Sequence, residues 1–167
     1  MKPILKILSL LAVLLLISCG GEEKKKEPAK VKIGSQKTEK KAATKKSTTK
    51  PSETIDLTNK GVGPITSLTL PSEIDQAMVT KGADVYKKMC TACHRADKKF
   101  IGPAPKGIMK RRTPEWIMNM ILDPEGMVAN DPLAKQLLIE FNSAPMANQN
   151  LTEEEARAVL EYFRTLN

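Results

Sequence analysis

Two of the three cysteines and the only histidine of the chain lie together in the sequence CTACH, residues 90–94. Thiols and imidazoles bind soft metals and carry redox chemistry, so this segment is the first candidate for a functional site. A zinc site with four protein ligands would need more such side chains, and the third cysteine, Cys19, lies in the N-terminal segment. A redox dithiol of the thioredoxin type would need a βαβ context, which the sequence does not show.

Cys-x-x-Cys followed directly by His is the attachment signature of a c-type haem. Two thiols one helical turn apart can each bond one vinyl group on the same edge of a porphyrin. The next residue then directs its imidazole at the central iron. The motif therefore predicts a covalently attached haem.

The elements that must position this motif are predicted to be helices. All six aromatic residues lie between Tyr86 and Phe163, so we expect folding to belong to about the last hundred residues. Three helix starts have clear capping signals, namely the pairs TP and DP and the capping box TEEE. The sequence predicts four helices and no convincing strand. The predicted helices run from near Ser72 to Met89, from Thr113 to about Leu122, from Asp131 to Phe141 and from Thr152 onward.

Residues 72–167 resemble class I cytochromes c. The matching pieces are the helix that ends in CTACH, the loop IGPAPKG, the dipeptide PM before the last helix, and the ending LTEEEARAVLEYFRTL. The resemblance implies a small all-α fold of about four helices around one haem c. It implies that Cys90 and Cys93 carry the haem and that His94 is the proximal iron ligand.

The same resemblance assigns further positions. The carbonyl of Pro103 is expected to accept the Nδ1 proton of His94, which would fix the imidazole. Gly82 and Tyr86 match the point where the first helix crosses the last one. Trp116, or an arginine of the loop before it, is a candidate to bond a haem propionate. Arg95 and Pro105 depart from the family pattern.

The sixth iron ligand is expected to be a methionine sulfur, which suits haem iron in electron carriers. Met146 follows Pro145 just before the last helix, where the family places its ligand. Met127 is the alternative, since both lie in stretches predicted to be non-helical. Met118 and Met120 are expected to pack in the second helix.

The resemblance implies electron transfer between redox proteins by a monomer that is not an enzyme. The sequence KRRTPEWIMNMILDPEGM resembles a subgroup of lipoprotein cytochromes c linked to nitrous oxide reductase systems, which adds that enzyme as a candidate partner. An acidic partner surface is expected to meet the basic residues Lys98, Lys99, Lys106, Lys110, Arg111 and Arg112. The alternative is a peroxidase-like haem enzyme or a haem-based gas sensor, with an open sixth position on the iron.

Residues 1–18 have the Lys-flanked apolar run of a signal peptide. The sequence LISC resembles the lipobox of bacterial lipoproteins, which implies a lipid on Cys19 and attachment to the periplasmic face of a membrane.

Residues 19–60 are predicted to be this anchor and a disordered, lysine-rich tether, and residues 61–71 are unassigned. Residues 20–60 hold twelve Lys and six Asp or Glu, whereas the charges balance from Ser72 onward. The net charge of +8 therefore indicates no nucleic-acid partner.

Overall fold

The computed structural model describes residues 49–167 and shows five α-helices there, with no β-strand. The helices are α1 (Gln76–Met89), α2 (Pro114–Leu122), α3 (Pro124–Asn130), α4 (Pro132–Glu140) and α5 (Glu153–Thr165), and a 3-10 turn covers Ile108–Lys110. The prediction of an all-α fold is confirmed. The predicted signal peptide, Cys19 and residues 20–48 of the predicted tether lie outside the described residues. Within residues 49–167 no helix has the length and apolar character to cross a membrane.

The three predicted helix starts are present as the sequence indicated. The side chains of Thr113 and Asp131 each accept a backbone N–H of the following turn, and each is followed by proline at the first helical position. Thr152 and Glu155 form the reciprocal capping box of α5. Local capping chemistry therefore fixes where α2, α4 and α5 begin.

Two helix predictions were wrong in detail. The helix α3 was missed, although Asp123 caps it through a 3.0 Å bond from the N–H of Gly126 and Pro124 opens it. The first helix begins at Gln76, capped by Asp75, and not near Ser72. Because α3 contains Met127, the expectation that this methionine lies in a non-helical stretch was also wrong.

The helices α1 and α5 cross at the expected glycine. A Cβ atom on Gly82 would lie 1.9 Å from the backbone oxygen of Ala158, so only glycine permits this approach. One turn later the ring of Tyr86 lies 5.4 Å from that of Tyr162 and 5.7 Å, edge to face, from that of Phe163. The crossing fixes the end of α1, from which the CTACH motif emerges.

A buried carboxylate ties the start of α1 to α5. Glu161 is 0% exposed and accepts 2.6 Å bonds from Arg157 and Arg164. It also accepts the backbone N–H of Asp75 at 3.0 Å. Arg164 in turn donates to the carbonyl oxygen of Pro71 at 2.6 Å. The charged cluster therefore holds the chain that leads into α1.

Residues 50–65 form an irregular segment of turns and bends, here called the strap, that is bonded to residues of α2, α3 and α4. At its first end Ser52 bonds both oxygens of Glu140, with its N–H at 2.7 Å and its hydroxyl at 2.5 Å. Farther along, the side chain of Asn59 donates to Asp131 at 2.6 Å. The prediction of a disordered tether is therefore wrong for residues 50–60, which are held by bonds to residues far away in the chain.

The second end of the strap is held by a buried amide. The side chain of Asn119 accepts the N–H of Ile65 at 2.9 Å and donates to the carbonyl oxygens of Ile65 and Lys60. Asn119 is 1% exposed, so these bonds satisfy polar groups that water does not reach. The strap is thus fastened at both ends.

Candidate functional site

The CTACH motif lies in a tight turn directly after α1. The N–H groups of Cys93 and His94 both donate to the carbonyl oxygen of Cys90, at 3.1 and 2.9 Å. Cys90 is half-buried and Cys93 is exposed. Before any bond to the sulfur is formed, burial, with a smaller effect of Cys93, raises the pKa of the Cys90 thiol to about 11. The turn brings both sulfurs and the imidazole to one cleft.

The imidazole of His94 is fixed from behind. Its Nδ1 lies 2.8 Å from the carbonyl oxygen of Pro103, and because a carbonyl only accepts, Nδ1 carries the proton. Gly102 lies against the ring, since a Cβ atom there would be 2.4 Å from Cε1. This arrangement leaves Nε2 as the free, basic nitrogen of the ring.

The cleft is open and mainly apolar. The space free of protein atoms, including the open mouth, is about 1230 Å³. No carboxylate of the described residues lines it. Cys93 and Ile101 line it and are exposed, so the mouth lies beside them. Its apolar walls come from four helices and two loops and include Ile108, Ile117, Ile121, Val128, Leu137, Leu138, Phe141, Val159 and Phe163.

Two methionines line the cleft. Met146, the expected sixth ligand, does so from the loop before α5, and Met120 does so from α2. The other five methionines of the described residues do not. Met127 is 0% exposed and its sulfur accepts the N–H of Val62 at 3.1 Å, so this alternative ligand is occupied elsewhere. Met120 was assigned to packing alone, and only the fold reveals that it reaches the cleft.

Trp116 also lines the cleft, but its indole N–H points elsewhere. The group donates to Asp131 at 3.3 Å, so the indole is not free to bond a propionate. Two neighbouring arginines, Arg111 and Arg112, line the same cleft. Arg112 is buried, whereas Arg111 is half-buried and donates to the carbonyl oxygens of Lys106 and Ala104. Burial lowers the pKa of each, and neither has an ion-pair partner within the described part of the chain. The cleft therefore has two cationic residues in its wall.

The hydroxyl group of Tyr86 is a third unusual polar group in the cleft. It is buried and has no hydrogen-bond partner among the described residues. Burial and the neighbouring Cys90 raise the pKa of this phenol to about 12, so it stays neutral. Nothing in the sequence marked this hydroxyl as unpaired.

Comparison with known proteins shows the family of the chain. The family model described as cytochrome c matches residues 79–167, more than half of the chain. The chain belongs to the cytochrome c family. It carries one covalently bound haem c, and haem-based electron transfer is the activity that the family supports. None of the curated proteins compared with the chain is similar to it.

Solved structures of similar proteins agree with this cytochrome c assignment. Cytochrome c from Rhodothermus marinus is 44% identical, with a TM-score of 0.60, and the match covers 62% of this chain and 89% of that one. An engineered form of that cytochrome, bound to a carbene intermediate, is also 44% identical, with the same coverage and a TM-score of 0.58. A further structure of the engineered form covers 90% of its own chain with a TM-score of 0.59.

The residues of the cleft fit a haem. Two thiols and an imidazole lie at one side, apolar walls enclose the space, and the two guanidinium groups suit the acidic side chains of the porphyrin. Zinc is a poor fit, because residues 49–167 contain no group of three or more His, Cys, Asp or Glu side chains that could hold a metal ion.

Proposed function

We propose that this cytochrome c carries single electrons between redox proteins and has no catalytic activity of its own. The supporting observation is the composition of the cleft. A haem peroxidase needs a distal acid-base group beside an open iron position, and no carboxylate of the described residues lines this cleft, whose only imidazole is His94. When bound, the haem supplies an iron that alternates between the ferrous and ferric states.

We propose that His94 and Met146 would hold the haem iron. The bond from Nδ1 to Pro103 leaves Nε2 of His94 available for iron. Met146 lies in a loop between Phe141 and the capped start of α5, and a thioether ligand raises the potential of a haem. Met120 is the second sulfur in the same cleft.

The chain would hold the rest of the haem through its cations and its thiols. Cys90 and Cys93 are proposed as the two thioether positions. Arg111 and Arg112 are proposed to bond the acidic side chains of the haem, a role that suits the planar guanidinium group. Both arginines therefore leave the set of docking residues that the sequence suggested.

The partner surface is proposed at the mouth of the cleft. Lys98, Lys99 and Lys106 are exposed there, and Phe100 and Ile101 expose 45% and 48% of their surfaces. Exposed apolar side chains surrounded by lysines suit a transient complex with an acidic surface, where charge accelerates the encounter. The likeness noted in the sequence makes nitrous oxide reductase a candidate partner.

The location remains a proposal from the sequence. A lipid on Cys19 would place the domain at the periplasmic face of a bacterial membrane. Mass spectrometry of the purified protein should find an acylated Cys19 as the first residue, and any other first residue contradicts this anchor.

The experiment that tests the carrier function is a spectroscopic titration of the purified holoprotein. We expect a six-coordinate haem in both oxidation states that binds no carbon monoxide when reduced. The variant Met146→Ala should lose the weak sulfur-to-iron band and bind carbon monoxide. Met127→Leu is the control, because its sulfur lies outside the cleft, and it should behave like the wild type.

Two results would contradict this proposal in different ways. A wild-type protein that binds carbon monoxide at once and oxidises peroxidase substrates would be an enzyme or a sensor. If Met120→Leu, and not Met146→Ala, opens the iron, the ligand is Met120 and the carrier function stands.

A further inference from the structure

The strap lies outside the part of the chain that matches the cytochrome c family, yet it borders the haem cleft. The family model begins at residue 79, whereas Ser52 of the strap lines the cleft together with Arg112. The backbone of Asp56 pairs with that of Arg112 in an isolated bridge. A segment outside the matched family region thus contacts a residue of the site.

The contact fixes the orientation of one guanidinium group. Arg112 is 3% exposed, and it donates to the carbonyl oxygen of Pro51 at 2.6 Å and to that of Thr54. It also donates to the carbonyl oxygen of Arg111 at 2.8 Å and lies 5.2 Å from the centre of the Trp116 ring. A guanidinium has five N–H donors, so these three bonds leave two for a ligand in the cleft.

The strap end that supplies these carbonyls is itself held by one side chain. Glu140 accepts both bonds from Ser52, and a charged acceptor makes such bonds stronger than neutral ones. Glu140 lies at the end of α4 and does not line the cleft. It can therefore be changed without altering the haem surroundings directly.

We propose that the strap is a positioning element of the haem site. Through the carbonyl oxygens of Pro51 and Thr54 it holds Arg112 toward an acidic side chain of the haem, and Glu140 keeps the strap in place. The held cation disfavours the more positive ferric state, so it raises the reduction potential. This inference rests on the proposed carrier function, because it assumes that Arg112 bonds a haem acid.

The test is the reduction potential of the full-length holoprotein and its Glu140 variants. We expect Glu140→Ala to free the strap and lower the equilibrium constant for reduction about tenfold, which is 59 mV for a one-electron couple. Loss of a negative charge by itself would raise the potential, so the sign separates the two effects. Glu140→Gln removes the same charge but keeps an oxygen acceptor for Ser52, and it should not lower the potential.

Arg112→Lys provides the second arm. Lysine keeps the charge but lacks the planar, forked guanidinium group, so the reduction potential of this variant should fall as in Glu140→Ala. The potential of the double variant Glu140→Ala/Arg112→Lys should fall no further than that of either single variant. Asn119→Ala is the matched control, because it loosens the strap at Lys60 and Ile65, which lie after the strap residues that contact Arg112. It should lower stability and leave the potential unchanged.

The outcomes separate this inference from the carrier function. If the wild type is six-coordinate and inert to carbon monoxide, but Glu140→Ala and Glu140→Gln share the same potential, the strap inference fails alone. Additive shifts in the double variant also overturn it. If the wild type binds carbon monoxide, the carrier function fails whatever the variants do.

Discussion

Replacement of Glu161 by alanine should destabilise the protein more than any other single loss of charge in α5. The change leaves the guanidinium groups of Arg157 and Arg164 without their partner, with only 16% and 13% of those side chains exposed. Breaking a buried ion pair costs about 3–5 kcal/mol. Partial hydration of the two arginines favours the lower value, so we expect a loss of about 3 kcal/mol and a melting temperature lower by roughly 10 °C.

The pKa of Glu161 predicts the direction in which this loss of stability changes with pH. Burial alone would raise the pKa of Glu161, but the bonds from Arg157 and the N–H of Asp75, together with both arginine charges, lower it on balance. A carboxyl group whose pKa is lower in the folded state makes its full contribution to stability above its unfolded-state pKa, about 4.3. This contribution is lost as the pH falls through the folded-state pKa. The difference in the free energy of unfolding between the wild type and Glu161→Ala should therefore become smaller below about pH 4.

The assay is chemical unfolding of the ferric holoprotein, followed by circular dichroism and by haem absorption at several pH values. Glu161→Gln keeps an acceptor for the N–H of Asp75 and should fall between the other two proteins. Glu154→Ala is the control, because its 2.6 Å pair with Lys81 is exposed and should contribute close to nothing. A loss below about 1 kcal/mol for Glu161→Ala, or a loss independent of pH, would refute the reasoning.

Three further changes test the packing around the site. Gly82→Ala should cost about 3 kcal/mol or more in a thermal melt, since its Cβ would meet the backbone of Ala158 at 1.9 Å, and an unchanged melt contradicts that contact. Tyr86→Phe should leave stability unchanged or raise it by about 1 kcal/mol, because the hydroxyl group has no hydrogen-bond partner within the described residues. A loss of stability in the same melt would show that the hydroxyl group has a partner when the haem is bound. Asn119→Leu should speed hydrogen exchange at the N–H of Ile65, and unchanged protection there would show that the amide does not hold the strap.

The parts of the fold that the sequence predicted are those determined by neighbouring residues. Thr113, Asp131 and Thr152 mark helix starts because a cap acts within one turn. The CTACH motif indicated the cofactor for the same reason, since its three functional side chains lie within five residues. The helix α3 was missed because Pro124 was taken only as the end of the preceding helix, although Asp123 before Pro124 is the same starting signal.

The features that the sequence did not reveal depend on contacts between distant residues. Nothing near Ser52 in the chain indicates that Glu140, 88 residues later, will bind it. Met120 has the spacing of a packing residue, and only the angle of α2 against the other helices brings it to the cleft. The burial of Arg112 has the same origin, because the sequence suggested that an arginine of this loop bonds a propionate but did not indicate which arginine is buried.

The length of the loops that the strap closes has a consequence for how the protein folds. The bonds at its two ends join residues 88 and 54 positions apart, and contacts across such loops form late in folding because closing them costs entropy first. The strap precedes α2 and α4 in the chain, but its two ends bind Asn119 and Glu140 of these helices and cannot dock before the helices exist.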